Sequence, residues 1–158
     1  DGSPSAVEAL AAWSPLNTSP ILDFAILKLK EPPAGRRPLT LAPTALQEAG
    51  KQGLPVNIIQ HPGGNAKMIG IRNNLVSRLD QWQLSYYTDT MQGSSGSPVC
   101  NDRWQVVALH RAWEYANQLM FQGKPTAWRN IGVRIDRLIE HLKDKEPALW
   151  AEIAADVI

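Results

Sequence analysis

Ser95 is the residue of this sequence best placed for covalent chemistry. It sits in Tyr87-Thr88-Asp89-Thr90-Met91-Gln92-Gly93-Ser94-Ser95-Gly96-Ser97-Pro98-Val99, where glycine and serine crowd around one hydroxyl. A serine hydroxyl at neutral pH is a poor nucleophile unless a base stands beside it, so its partners must be sought among the histidines and carboxylates. The histidines are His61, His110 and His141, and each has a plainer reading. His61 lies in a Pro-Gly turn, His110 at the end of a strand where its ring would be buried and satisfied, and His141 near the end of a helix, where it would complement the dipole. Among the acids, Asp23 opens the stretch Asp23-Phe24-Ala25-Ile26-Leu27, and 95 − 23 = 72 positions separate it from Ser95. Taken singly, the Gly/Ser stretch also reads as a turn between strands, and Asp23 as a satisfied aspartate at a strand start.

The elements that must hold these residues are mainly strands. Over 21–29 the period is two, with Asp23, Ala25, Leu27 and Leu29 on one face and Phe24, Ile26 and Lys28 on the other. Before it, residues 1–20 read as a surface connection with a turn of helix over 6–13, and after it 31–43 carry four prolines and read as extended coil. Short strand-like segments follow at 55–60, 67–71, 75–79, 84–88 and 104–110, with turns such as His61-Pro62-Gly63-Gly64-Asn65 and Asn101-Asp102-Arg103 between them. Such spacing predicts a sandwich or barrel. Residues 111–127 interrupt the rhythm as a long loop, and 128–133 resume it as a last strand. Ile135, Leu138, Ile139 and Leu142 then recur at helical spacing, with Asp136 near the start. Pro147, a favoured first helical residue, opens a second helix or a lead into another module over 147–158.

The segment around Ser95 resembles the nucleophile loop of the trypsin/chymotrypsin-like serine peptidases, nearest in form to the bacterial glutamyl-endopeptidase-like (V8-like) branch. The stretch from Asp23 to Leu27 resembles that family's Asp-x-Ala-Leu-Leu strand. Ile58-Ile59-Gln60-His61-Pro62-Gly63-Gly64 is similar to the first hairpin of its second barrel, and Trp104-Gln105-Val106-Val107-Ala108-Leu109-His110 to the strand after the nucleophile. Residues 132–142 are similar to its last strand and terminal helix, so the resemblance covers about residues 21–144. It implies an all-β, chymotrypsin-like double β-barrel: the end of the first barrel and the connection over 1–50, the complete second barrel over 51–133, and a C-terminal helix and tail over 134–158. It also implies roles. Ser95 would be the nucleophile and Asp23 the acid of the triad. Gly93 would let the chain turn so that its N–H and that of Ser95 form the oxyanion hole, and Gly96 would leave space behind the nucleophile. In the glutamyl branch Thr90 and His110 would hold a substrate carboxylate. Asp89 stands instead where the trypsin branch places the acid that binds Arg or Lys. The acidic preference is the expectation carried forward.

One departure matters. The family's histidine precedes its aspartate, and none of the three histidines here does. The expectation is therefore a serine endopeptidase whose His-bearing N-terminal segment is absent from this chain, inactive in isolation and acting on polypeptide substrates. The alternative is a protease-like barrel without activity, used as a binding or scaffold module. An α/β-hydrolase is a weak third reading, because Ser97 stands where the nucleophile elbow needs its last glycine and the acid comes before the serine. The aromatic residues of 111–127, Trp113, Tyr115 and Phe121, together with Met120, are expected to wall the cleft or form an interface.

Composition bounds the rest. At 158 residues with 44% hydrophobic and 20% charged, the chain has room for one sizeable core. A net charge of +1, with Arg36-Arg37 the only adjacent basic pair, lacks the footprint of a nucleic-acid binder. No apolar run is long enough to span a bilayer. Cys100 is the single cysteine and cannot form an intrachain disulfide. That leans towards the cytoplasm, with secretion left open because the true N-terminus is expected to lie further upstream and further domains to be fused. No metal or organic cofactor is expected.

Overall fold

The computed structural model describes residues 7–13, 22–31, 34–46 and 54–157. Two sheets carry the fold. Strands β1 (Val7–Trp13) and β2 (Phe24–Leu29) form an antiparallel pair. The second sheet has seven strands: β3 (Asn57–Gln60), β4 (Met68–Gly70), β5 (Val76–Leu79), β6 (Gln83–Tyr86), β7 (Pro98–Cys100), β8 (Val106–Phe121) and β9 (Lys124–Arg134), in the order β4-β3-β7-β8-β9-β6-β5. An isolated bridge between Pro55 and Leu75 ties the chain entering β3 to the chain entering β5, where Val76 N–H donates to the Leu54 carbonyl at 2.8 Å and Val56 N–H to that of Asn74. Helices α1 (Ile135–Lys145) and α2 (Pro147–Val157) follow.

Strand β7 and the stretches of β8 and β9 beside it, residues 106–110 and 130–134, are largely buried on both faces, which explains why those stretches alternate so weakly. Val99, Val107 and Tyr86 point into one core with Leu46, Val56, Ile58, Val76 and Leu84. Cys100, Val106 and Val133 point the other way, into a second core with Ile135, Leu138, Ile139 and Leu142 of α1. Leu22 and Phe24 join this second core, so β2 is fixed against the barrel wall and helix at the point where Asp23 leaves it. The edge of the Phe24 ring also meets the His141 imidazole at 5.9 Å.

Two expectations are corrected here, and the covered face of 21–29, which the sequence left open, is decided. The segment expected to contain a turn of helix at 6–13 is strand β1, because β2 offers it a hydrogen-bonded edge that overrides the helix propensity of its alanines. The face of 21–29 that is covered is the Phe24 and Ile26 face; Asp23, Ala25, Leu27 and Leu29 are exposed. Residues 111–127 are not a loop. They belong to one long hairpin in which β8 pairs with β9 out to Phe121 and Lys124, around the turn Gln122-Gly123 with both residues at positive φ. Two irregularities in the pairing, at His110/Ala112 and Tyr115/Leu119, broke the alternation that would have announced the strand. β7, three residues immediately after the Gly/Ser stretch, was also not foreseen.

Candidate active site

The loop that carries Ser95 is pinned from several sides. Thr88, fully buried, donates its hydroxyl to the Val56 carbonyl at 2.9 Å, and the Asn130 amide donates to the Thr88 carbonyl. Gln60, at the buried end of β3, reaches two points of the loop at once: its Nε2 donates to the Asp89 carbonyl at 2.9 Å, and its Oε1 accepts the Ser94 hydroxyl at 2.6 Å. Further along, Gly96 N–H donates to the His110 carbonyl at 2.8 Å and His110 N–H to the Ser97 carbonyl at 2.9 Å, tying the loop to β8. Gln60 and Ser94 are functional in this sense, and the sequence had not marked them. A glutamine at a strand end and the first serine of three carry no signal of what they will face.

Gly93 is required twice over. Its φ of +94° lies in the region closed to other residues, and a Cβ there would come within 3.2 Å of the His61 carbonyl oxygen and the Gly64 nitrogen. Its close neighbour is the 3₁₀ turn Pro62–Gly64, docked by Gly63 N–H donating to the Gln92 carbonyl at 2.7 Å. Gly96 has a different reason from the one expected. Nothing lies within 4 Å of where its Cβ would be, so its φ of +82° and not a lack of space selects glycine. Among the described residues, the amides of Gly93 and Ser95 have no hydrogen-bond partner, whereas those of Ser94, Gly96 and Ser97 are all bonded. Two unsatisfied donors beside one hydroxyl form the arrangement that can receive a developing oxyanion.

Ser95 and Asp23 are both exposed, and one residue joins them. The Ser95 hydroxyl donates to the Arg111 carbonyl at 3.2 Å, and the Arg111 Nε donates to Asp23 Oδ2 at 3.1 Å. Among the described residues, neither His61 nor His110 bonds to either. His61 shares a cleft of about 610 Å³ with Gly93, Ser95, Arg36, Arg37 and Lys67, but its Nδ1 is engaged with the Asn65 carbonyl at 3.0 Å.

His110 is buried, and its Nδ1 meets the Tyr86 hydroxyl at 2.7 Å. Burial pushes the tyrosine up and the imidazole down, the latter to about 4. The ring is neutral at pH 7. The expected meeting of Thr90 with His110 is absent. Thr90 and Asp89 do line one pocket, of about 460 Å³, with Tyr87, Trp113, Phe121 and Trp128, and His110 is not on its wall. The Thr90 hydroxyl donates to Asn130 Oδ1 at 2.6 Å. Arg129 also reaches this pocket but is paired with Glu114, while the Asp89 carboxylate has no cationic partner among the described residues. Tyr115 and Met120 lie further along the hairpin, over a separate hollow. No group of three His, Cys, Asp or Glu side chains among the described residues is placed to hold a metal ion, and no helix among them is long and apolar enough to cross a membrane. Burial pushes the Cys100 thiol up to about 11, so it is unreactive at neutral pH.

Known proteins share this fold. The inactive form of a Ser-to-Ala mutant of Rv3671c from M. tuberculosis H37Rv superimposes with a TM-score of 0.60 at 16% identity, over 90% of this chain and 65% of that one. A Glu endopeptidase in complex with MPD does so with a TM-score of 0.52 at 25% identity, over 79% and 55%. The fold is thereby chymotrypsin-like, as the sequence resemblance implied. The uncharacterized protein y4fB of Sinorhizobium fredii (strain NBRC 101917 / NGR234) is 36% identical over 113 residues, 67% of this chain and 15% of that protein. This chain thus spans about two thirds or less of each of these relatives. Residues 2–109, which include both Asp23 and Ser95, match the trypsin-like peptidase domain family, and the chain belongs to that family.

Proposed function

We propose that this chain is the nucleophile-bearing part of a serine endopeptidase. The observation that carries the reading is the pair of unpartnered Gly93 and Ser95 amides flanking an exposed Ser95 hydroxyl, on a loop held by Gln60, Thr88 and His110. In the reaction, Ser95 Oγ attacks the peptide carbonyl as its proton passes to an imidazole, and the two amides stabilise the oxyanion. The amine leaves with the proton the imidazole returns, and water then cleaves the acyl-enzyme. Asp23 orients that imidazole. Neither His61 nor His110 bonds to Ser95 or Asp23, and in this reading the imidazole is supplied by a histidine-bearing segment of the kind that precedes the aspartate in the family. The aromatic pocket receives the side chain before the scissile bond. The carboxylate of Asp89, without a cation of its own, favours a basic side chain there, since His110 supplies no charge for an acidic one.

The test is labelling with a fluorophosphonate. In the complete protein Ser95 should be labelled and peptide cleaved, Ser95→Ala should abolish both without unfolding the chain, and Asp23→Asn should lower kcat on the order of 10⁴-fold, the loss typical of an acid-to-amide change in a serine triad. Labelling at another serine would refute the assignment.

A further inference from the structure

Two pairs of aromatic rings stand on the wall of the pocket that also holds Asp89. Trp113 and Trp128 meet edge to face, with centroids 4.7 Å apart and planes at 82°, and Tyr87 and Phe121 meet at 4.4 Å. The strand pairing puts the tryptophans together. Trp113 lies opposite Asn130, so Trp128 is its diagonal neighbour across β9, a separation that large side chains bridge. Tyr115, directly opposite Trp128, braces that ring at 4.9 Å from a position off the pocket wall. Phe121 arrives by a bend. A straight strand would carry it roughly 26 Å beyond Trp113, yet both line one pocket. From Tyr115 to Leu119 β8 takes four steps where β9, from Trp128 to Thr126, takes two. Extra residues of this kind bend a strand, and the hairpin tip comes back onto Tyr87. Each residue lining the pocket belongs to the seven-stranded sheet or to a loop between its strands, so its walls owe nothing to the β1–β2 pair.

The charges of the pocket leave recognition largely to the rings. Arg129 is paired with Glu114, and Asp89 is exposed, where one carboxylate facing a hydrated ammonium contributes little. Ring faces attract a cation without needing an N–H from it, and methyl groups on the nitrogen gain by contact with apolar walls. We propose that this pocket is an aromatic cage for an N-methylated lysine side chain, the trimethyl form above all, with Asp89 setting the sign of the charge and Trp113 and Trp128 supplying the contact. The placing of that side chain before the scissile bond rests on the peptidase reading.

The experiment uses the complete protein and a peptide series that differs only before the scissile bond. The series holds lysine, its mono-, di- and trimethyl forms, and the uncharged isostere in which carbon replaces the trimethylated nitrogen. kcat/KM should rise with methylation and be roughly three- to tenfold higher for trimethyllysine than for the isostere, the weight of a partly exposed cation–π contact. W113L and W128L should close that gap and W128F should keep part of it. Both tryptophans are more than half exposed, so these variants keep the fold. A second arm reads binding alone: S95A, titrated with the same peptides and followed by tryptophan fluorescence, should give the same order of affinities. Equal values for trimethyllysine and its isostere would overturn the cage and leave the peptidase reading standing, as would a fall from lysine to trimethyllysine, which a carboxylate acting alone would give. If Ser95 takes no fluorophosphonate label and no peptide is cleaved, the peptidase reading falls and the binding arm decides the cage: the expected order upholds it, and its absence removes both.

Discussion

At the scale of single residues, environment decides what a functional group can do. His110 has a residue type and position that suit an anion-binding ring, but burial and the Tyr86 hydroxyl at its Nδ1 hold it neutral. Its folded value lies below the unfolded one of 6.5. As pH falls from 6.5 towards about 4 the unfolded chain therefore takes up a proton that the native state refuses, and stability is lost by up to about 1.4 kcal/mol per pH unit. Above that window the group has no effect. Urea unfolding at pH 7 and pH 5 should show this extra loss in wild type and not in His110→Gln, and equal pH dependence in both would contradict it. Asp89 gives the complementary case, an acid beside aromatic rings with no cation of its own. Profiling the complete protein against a library varied before the scissile bond should give preference for Lys and Arg, diminished by Asp89→Ser and unaffected by His110→Gln. A clear preference for Glu would restore the acidic reading.

At the scale of elements, the site is where β2, β3, β8 and the nucleophile loop meet, and its precision comes from how they are tied. One tie lies away from the chemistry, where β9 passes into α1. Arg134 is buried, with its Nε on Asp136 Oδ1 at 3.0 Å and its Nη1 on the Asp80 carbonyl at 2.6 Å, so strand end, helix start and the β5–β6 turn share one cation. Asp136 is buried too, and within the first turn of α1 it also faces the positive end of the helix dipole. Removing one partner leaves an uncompensated buried charge, which costs about 3–5 kcal/mol. Asp136→Ala should lower the unfolding free energy by that order, read from denaturant unfolding, while the double change Asp136→Leu with Arg134→Met should recover much of it. A loss below about 1 kcal/mol for the single change would show that the pair is not load-sharing in this way.

At the scale of the molecule, two cores meet at a wall made by β7, β8 and β9, and this wall also carries the chemistry on its rim. What the sequence determined by itself was local. A glycine needed at positive φ and a helical period from Ile135 are set by backbone sterics and side-chain periodicity within a few residues and they announced the turn at Gly93 and α1, while Ser95 and Asp23 were singled out by the motifs that resemble the family. What tertiary structure alone decided was anything that depends on a distant partner. β1 is a strand because β2 lies beside it, and the aromatic hairpin hides behind two irregularities in its register. Gln60 matters because folding carries it to Asp89 and Ser94, some thirty positions away. Such contacts are selected by burial and hydrogen-bond satisfaction summed over the whole chain, so no window of sequence contains the information that makes them.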